Sequence, residues 1–128
     1  MDRIKVSIIT VVWNNKETIK DSINSVLNQT YADIEYIVVD GSSSDGTIDI
    51  VQGYGDKIAH FISEPDEGLY DALNKGIKLA SGEVIGILHS DDLFSDGLVV
   101  SDMIERMVVK NAEITFSDMI IIDKTMTK

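Results

Sequence analysis

Residues 84–92 read V-I-G-I-L-H-S-D-D, an apolar run that ends directly in two carboxylates. A short continuous apolar run bounded by turn residues is typical of a buried strand in a parallel sheet. In open α/β sheets, ligands bind outside the carboxyl ends of the strands, so Asp91 and Asp92 are predicted to lie at a binding edge.

Two interpretations of this carboxylate pair are open from the stretch alone. Hard carboxylate oxygens suit Mg²⁺ or Mn²⁺, ions that usually share their coordination shell with substrate phosphates. Alternatively, Asp91 or Asp92 caps the following helix or is merely solvated.

The composition is that of one globular domain, with 128 residues, 44% hydrophobic and 26% charged. The net charge of −11 argues against a nucleic-acid partner but not against a phosphate ligand that a divalent cation accompanies. The absence of cysteine excludes a disulfide framework and a thiolate metal site. No apolar run approaches the roughly 20 residues that span a bilayer, and no signal-peptide pattern is present. We therefore expect a cytoplasmic soluble domain, with membrane attachment through a further segment left open.

Outward from this stretch, apolar runs with a strand-like pattern alternate with helical ones. The strands are predicted over 3–12, 36–39, 58–63, 84–88, 113–117 and 119–123, and the helices over 16–28, 47–53, 69–80 and 98–110. This alternation predicts a Rossmann-like, mostly parallel sheet with helices on both faces, a nucleotide-binding type of α/β fold. Neither G-x-G-x-x-G nor G-x-x-x-x-G-K-[ST] occurs, which argues against the usual dinucleotide fold and against P-loop NTPases.

Polar residues follow two further strands at the same predicted edge. Asp40 could contact a ribose or base, or it could cap the 41–47 loop. Trp13 could pack on a flat base, although a partly buried position is favoured for a large aromatic residue. Asn15 is expected to cap the first helix. His89 is expected to be structural and His60 to be a core residue, since neither has the spacing of a zinc site.

Five ordered motifs identify a resemblance that covers nearly the whole chain. They are V-S-I-I-T-V-V-W-N-N (6–15), S-V-L-N-Q-T-Y (25–31), E-Y-I-V-V-D-G-S-S-S-D-G-T (35–47), E-P-D-E-G-L-Y-D-A-L-N-K-G-I (64–77) and A-S-G-E-V-I-G-I-L-H-S-D-D (80–92). Together they resemble the N-terminal half of family 2 glycosyltransferases, which are inverting enzymes with the GT-A fold. The variant is similar to bacterial transferases of surface-polysaccharide synthesis, including the colanic-acid type.

The resemblance implies roles for individual positions. Asp92 matches the metal-binding carboxylate of a D-x-D-like motif, and its cofactor would be Mn²⁺ or Mg²⁺. The implied nucleotide-sugar-binding positions are Val11, Trp13, Asp40, Asp66 and Asp91. Lys75 is either a phosphate neighbour or, as the preferred interpretation, a solvated helix lysine.

The implied reaction transfers a sugar from a nucleoside diphosphate to a hydroxyl of a saccharide or lipid-linked acceptor. A divalent ion would stabilise the leaving diphosphate, and a carboxylate base would assist the attack that inverts the anomeric centre. The protein would act in the cytoplasm, either free or attached to the inner face of the membrane through a further segment. The alternative function is a non-catalytic nucleotide-binding module of the same fold. Receiver domains and metal-dependent phosphatases need acids after strand one, where this chain has Trp13-Asn14-Asn15.

Two departures from the family pattern matter. Many relatives carry a second aspartate at the position of Gly41, which often contacts uracil, so GDP- and dTDP-sugars are as open here as UDP-sugars. Family catalytic domains are also much longer, and their acceptor site and catalytic base follow the part that this chain matches. We therefore expect the base beyond Lys128. Residues 1–128 are expected to be a truncated, donor-binding part that transfers poorly by itself.

Overall fold

The computed structural model describes residues 4–110, 115–116 and 119–123. Its strands are β1 (Val6–Val12), β2 (Ile34–Asp40), β3 (His60–Ser63), β4 (Val84–Leu88), β5 (Thr115–Phe116) and β6 (Met119–Asp123). Its helices are α1 (Lys16–Leu27), α2 (Thr47–Gln52), α3 (Leu69–Leu79) and α4 (Val99–Lys110), with a short 3-10 turn at Gly55–Lys57. The predicted alternation is confirmed to within a few residues at each boundary. Arg3 of the first predicted strand, and most of the predicted strand 113–117, lie outside the described residues.

Within the described part of the chain, the strands form one six-stranded sheet in the order β3-β2-β1-β4-β6-β5. β1 to β4 are parallel, as predicted, and β1 pairs with β2 on one side and with β4 on the other. β6 runs antiparallel to β4, and β5 antiparallel to β6. The chain passes from β1 to β2 and β3, and then returns to place β4 on the opposite side of β1. The carboxyl ends of β1 and β4 therefore flank a topological switch point, where open α/β sheets bind ligands.

Apolar side chains cover both faces of the sheet. On one face Ile8 belongs to a buried cluster with residues of α1, α2 and α4, including Ile19 and Met103. On the other face Ile9 packs with Ile37 and with Ala72 of α3. Successive residues of β1 thus point to opposite cores, which is why the strand carries apolar residues on both faces. Each fully buried isoleucine contributes about 1.5–3 kcal/mol of transfer free energy, so these two layers hold the sheet rigid beneath its edge.

The burial prediction for His60 is wrong. His60, expected in the core, has a side chain that is 41% exposed, because β3 is an edge strand. Among the described helices, none combines the length and apolarity that crossing a bilayer requires.

A buried carboxylate closes the amino-terminal edge of the sheet, opposite the predicted site. Glu35 Oε1 accepts hydrogen bonds from the Ser7 hydroxyl (2.8 Å) and the Ser81 N–H (2.9 Å), and Oε2 accepts one from the Ser81 hydroxyl (2.8 Å). Burial raises the pKa of Glu35, but these hydrogen bonds and the nearby Lys5 ammonium outweigh it and hold the pKa at about 2. The carboxylate is therefore a charged connection between β1, β2 and the α3–β4 turn.

Candidate functional site

The paired aspartates occupy a turn at the carboxyl end of β4. β4 ends at Leu88, Asp91 is exposed and Asp92 is half-buried. The Asp92 N–H donates to the carbonyl of His89 at 3.0 Å, which closes the turn. Because α4 begins only at Val99, the interpretation that either aspartate caps the following helix is wrong.

Side chains of α1 and of the residue before it hold this turn in place. The carbonyl of Ser90 accepts hydrogen bonds from the hydroxyls of Thr18 (2.7 Å) and Ser22 (2.9 Å). The Ser22 hydroxyl also donates to the carbonyl of Asp92, and the Asn15 amide donates to the Ser90 hydroxyl at 3.0 Å. Side chains of α1 thus fix the turn through its backbone carbonyls. Sequence reasoning missed this support, although two hydroxyl residues four apart beside an apolar stripe share one helix face.

Asn15 occupies the N-cap position of α1, as predicted, but its side chain makes no capping hydrogen bond and instead spans the switch point to Ser90. The first turn of α1 is satisfied by the neighbouring loop instead: Asp45 Oδ2 accepts the N–H of Lys16 at 3.1 Å, and the Thr47 hydroxyl accepts the N–H of Asn15 at 3.2 Å. The Thr47 hydroxyl, and then the N–H groups of Thr47 and Lys16, lower the pKa of Asp45. The loops after β1 and β2 are therefore joined by charge-assisted hydrogen bonds.

Two non-glycine residues in these loops have left-handed backbones, Asn14 (φ 46°) and Ser42 (φ 66°). Asn14 is held there from both sides: its N–H donates to the Ser43 hydroxyl at 2.7 Å, and its Oδ1 accepts the N–H of Ser44 at 2.7 Å. Asparagine tolerates this conformation better than most residues, whereas at serine it costs on the order of 1 kcal/mol or more. Such backbone strain accumulates at functional sites, and here it lies on the two loops that flank the predicted nucleotide position.

Asp40 is fully buried beneath these loops. Its Oδ2 accepts the Ser43 N–H at 2.9 Å and the Ser63 hydroxyl at 2.8 Å, and its Oδ1 accepts the Ser43 hydroxyl at 2.5 Å. Of the two interpretations, the geometry therefore favours the cap of the 41–47 loop. Through Ser63 the same carboxylate also ties the end of β3 to the site.

Trp13 is 66% exposed, so the favoured prediction of a partly buried position is wrong. It follows the last residue of β1 and stands beyond the covering helices, while Val11 remains half-buried against the α3 side of the sheet. Next to it, a Cβ added at Gly41 would lie 3.4 Å from Trp13 Cδ1 and only 2.7 Å from Asp66 Oδ2. The structure thus brings together a flat aromatic surface and a carboxylate that are far apart in sequence.

Lys75 is not a freely solvated helix lysine, which was the preferred interpretation. Its side chain is 20% exposed, and its ammonium donates to the Pro65 carbonyl at 2.9 Å. It also forms ion pairs with Glu64 (3.2 Å) and Asp71 (3.6 Å). The lysine therefore fastens α3 to the loop after β3, the loop that carries Asp66.

The donor set at the β4 turn fits a shared metal site. No group of three or more His, Cys, Asp or Glu side chains with metal-binding geometry occurs in the described part of the chain, so a closed protein cage is not found there. Mg²⁺ and Mn²⁺ are commonly held by one or two carboxylates, with water and substrate phosphates completing the shell. Asp91 and Asp92 provide oxygens of this kind at the switch point.

The sheet order and its carboxyl-end binding edge define a GT-A-type, Rossmann-like α/β domain. Two solved structures share this fold. One is the mannosyltransferase PcManGT from Pyrobaculum calidifontis in complex with GDP-Man and Mn²⁺ (TM-score 0.79, 24% identity, 88% of this chain and 34% of that chain). The other is S. aureus TarS 1-349 in complex with UDP-GlcNAc (TM-score 0.78, 25% identity, 86% of this chain and 33% of that chain).

Residues 7–125 match glycosyl transferase family 2, and the chain belongs to this family. An uncharacterized glycosyltransferase of Mycobacterium tuberculosis is 41% identical over 80% of this chain. The putative teichuronic acid biosynthesis glycosyltransferase TuaG of Bacillus subtilis is 40% identical over 68%, and the Escherichia coli UDP-Glc:alpha-D-GlcNAc-diphosphoundecaprenol beta-1,3-glucosyltransferase WfgD is 43% identical over 73%. The chain spans 39%, 36% and 38% of these three relatives. The predicted family resemblance is confirmed.

Proposed function

We propose that residues 1–128 form the donor-binding part of an inverting, divalent-metal-dependent glycosyltransferase of cell-surface polysaccharide synthesis. The observation that carries the proposal is the Asp91–Asp92 turn, fixed through its backbone at the switch point beside the exposed Trp13. Two relatives support a nucleotide-sugar donor, because WfgD is named for UDP-Glc and TarS is solved with UDP-GlcNAc.

In this proposal Asp92 is the metal ligand, and Asp91 lies beside the ribose and the ion. The bound ion would neutralise charge that develops on the leaving diphosphate. Trp13 stacks on the base, Val11 lies beneath base and ribose, and Asp40 acts by holding the 41–47 loop that borders the nucleotide. Because hydroxyls of α1 already fix the Ser90–Asp92 backbone, the turn that carries the two carboxylates needs little backbone reorganisation to receive the donor.

The remaining parts of the reaction are proposed by analogy with the family. The acceptor hydroxyl attacks the face of C1 opposite the leaving group, and the carboxylate base that takes its proton lies beyond Lys128. An acceptor on a lipid diphosphate, as in the name of WfgD, would place the protein at the cytoplasmic face of the membrane.

Calorimetric titration with UDP, GDP and dTDP, each with Mn²⁺, Mg²⁺ or EDTA, tests the donor site. We expect one of the diphosphates to bind about tenfold or more tightly with the metal, and this gain to disappear in Asp92→Asn. The substitution keeps the backbone hydrogen bonds of the turn, so the fold should persist. Asp56→Asn removes an exposed carboxylate in the 3-10 turn and serves as the matched control.

Binding that is equally tight in EDTA would contradict a shared metal site. Failure of the folded chain to bind any of the three diphosphates would contradict the donor site itself.

A further inference from the structure

Gly41 is unusual because its backbone does not require glycine. Gly46, Gly55 and Gly68 have positive φ values, but Gly41 does not, so its backbone conformation is open to any residue. What excludes a side chain is space: an added Cβ would lie 2.7 Å from Asp66 Oδ2, a distance at which one of the two must move. The space that a side chain at position 41 would fill is therefore occupied by a carboxylate from another loop.

That carboxylate is fixed in orientation. Asp66 Oδ1 accepts the N–H of Gly68 at 3.1 Å, which turns Oδ2 toward Gly41 and the indole of Trp13. Within the described residues Oδ2 accepts no hydrogen bond. The loop itself is held at two further points, by the Lys75 ammonium on the Pro65 carbonyl and by Asp71 Oδ2, which accepts the N–H of Glu67 at 3.0 Å. Lys75 and Asp71 are thus positioning residues for Asp66.

We propose that Asp66 Oδ2 selects the nucleobase of the donor by accepting a ring N–H from a base stacked on Trp13. The proposal deepens the proposed function and rests on it, because it assumes that a nucleotide occupies this edge. A carboxylate oxygen only accepts hydrogen bonds, so the base must present a donor at this point. Uracil and guanine carry a ring N–H on their Watson–Crick edge, whereas the corresponding nitrogens of cytosine and adenine are acceptors and face the carboxylate unfavourably. Stacking on Trp13 tolerates every base and supplies affinity without this discrimination.

The competing explanation is that Asp66 only forms the turn that ends in the Gly68 N–H. The two explanations differ in one measurable quantity, the ratio of affinities between bases with and without a ring N–H. Asp66→Asn separates them, because the amide oxygen can still accept the Gly68 N–H while the amide nitrogen adds a donor that suits cytosine.

The experiment measures binding of UDP, GDP, CDP and ADP in Mn²⁺ to the native chain and to Asp66→Asn. We expect the native chain to prefer UDP or GDP over CDP and ADP by about tenfold or more, since an unmatched hydrogen-bonding group at a desolvated site costs about 1–3 kcal/mol. In Asp66→Asn this preference should fall to about threefold or less, while the dependence on Mn²⁺ persists. Glu67→Gln, a neighbouring exposed acid, should retain the native preference.

Gly41→Ala is a second variant, which leaves Asp66 in the sequence but displaces its Oδ2. It should lose the same preference through geometry alone. An unchanged preference in Asp66→Asn, with metal-dependent binding intact, would overturn the base-selecting role and leave the proposed function standing. If the native chain binds no diphosphate in Mn²⁺, the proposed function fails and this role fails with it.

Discussion

Trp13 stands at the centre of the candidate site. Its neighbours along the chain, Asn14 and Asn15, connect the loop after β1 to the 41–47 loop and to the Asp91–Asp92 turn. The indole itself lies close to Gly41, on the side where Gly41 also faces the Asp66 carboxylate. A single exposed ring between a proposed metal site and a proposed base-selecting carboxylate should respond to any nucleotide that occupies this edge.

Trp13 is the only tryptophan in the sequence, so its fluorescence reports on this one position. We expect the emission maximum to shift to the blue, and the intensity to fall, when UDP or GDP is added with Mn²⁺, because stacking removes the 66% exposed ring from water. Replacing the ring with Trp13→Ala should weaken binding by about tenfold or more, given about 1–3 kcal/mol for a base–aromatic stack.

Trp13→Phe keeps a flat ring and should recover part of this loss. An emission spectrum that stays unchanged while calorimetry detects metal-dependent binding would place the base elsewhere.

For individual residues, the sequence predicted positions along the strands better than side-chain exposure and contacts. Asp91 and Asp92 were placed at a strand end from a local apolar run, and the structure has them there. The exposure of Trp13 was missed, because average burial of tryptophan carries no information about a residue that follows the last strand position. The contact between Gly41 and Asp66 could not be predicted either, since it depends on how the loops after β2 and β3 meet in space.

Among elements, Glu35 joins three segments that lie far apart in the sequence. Its hydrogen bonds fix the start of β1 to β2 and to the turn between α3 and β4. Gly82 completes this closure: its N–H donates to the Ser7 hydroxyl at 2.9 Å, and a Cβ there would lie 2.6 Å from the same oxygen. The amino-terminal edge therefore depends on a charged carboxylate and on a residue without a side chain.

We expect Glu35→Gln to lower the free energy of unfolding by about 1–3 kcal/mol at neutral pH. The pKa of Glu35 is lowered from 4.5 to about 2 in the folded chain, so the stabilisation is complete above pH 4.5 and is lost as the pH falls toward 2. Denaturant unfolding followed by far-UV circular dichroism should therefore show a difference between the native chain and Glu35→Gln that is roughly halved at about pH 3.

Glu83→Gln, an exposed acid near the same edge, should show little difference at either pH. A Glu35→Gln effect of equal size at neutral and acidic pH would mean that its charge does not carry the stabilisation.

The elements themselves were largely predictable, because β-branched apolar runs and one-sided helical stripes are local signals. The errors fall where tertiary context outweighs a local preference. Asn15 has the right chemistry for a helix cap, yet the loop after β2 already supplies Asp45 to the first turn of α1, which leaves the Asn15 amide to bridge to Ser90. His60 was expected in the core because it lies inside the third strand, but that strand is at the edge of the sheet.

For the whole molecule, the net charge of −11 opposes the approach of an anionic donor. We expect binding of UDP or GDP in EDTA to tighten by roughly two- to fourfold when NaCl is raised from about 50 to 300 mM, because salt screens the repulsion. With Mn²⁺ the dependence should reverse, since salt then screens the attraction among carboxylate, ion and diphosphate.

Titrations of Trp13 fluorescence at several salt concentrations measure how the affinity changes with NaCl, once in EDTA and once in Mn²⁺. Asp56→Asn serves as a control for the loss of one remote charge. Slopes of the same sign with and without Mn²⁺ would contradict a change in the local electrostatics at the site.

The position of β1 in the sheet also bears on how the chain folds as it leaves the ribosome. Val6 pairs with Ile34 on one side, but its partner on the other side is Val84, which is synthesised much later. β1 must therefore wait with one side unpaired until β4 is synthesised, and distant pairing of this kind slows folding. The strands that precede Trp13 and Asp66 are thus synthesised before the strand that precedes Asp91 and Asp92, and the cleft between these residues requires β4 to pair with β1.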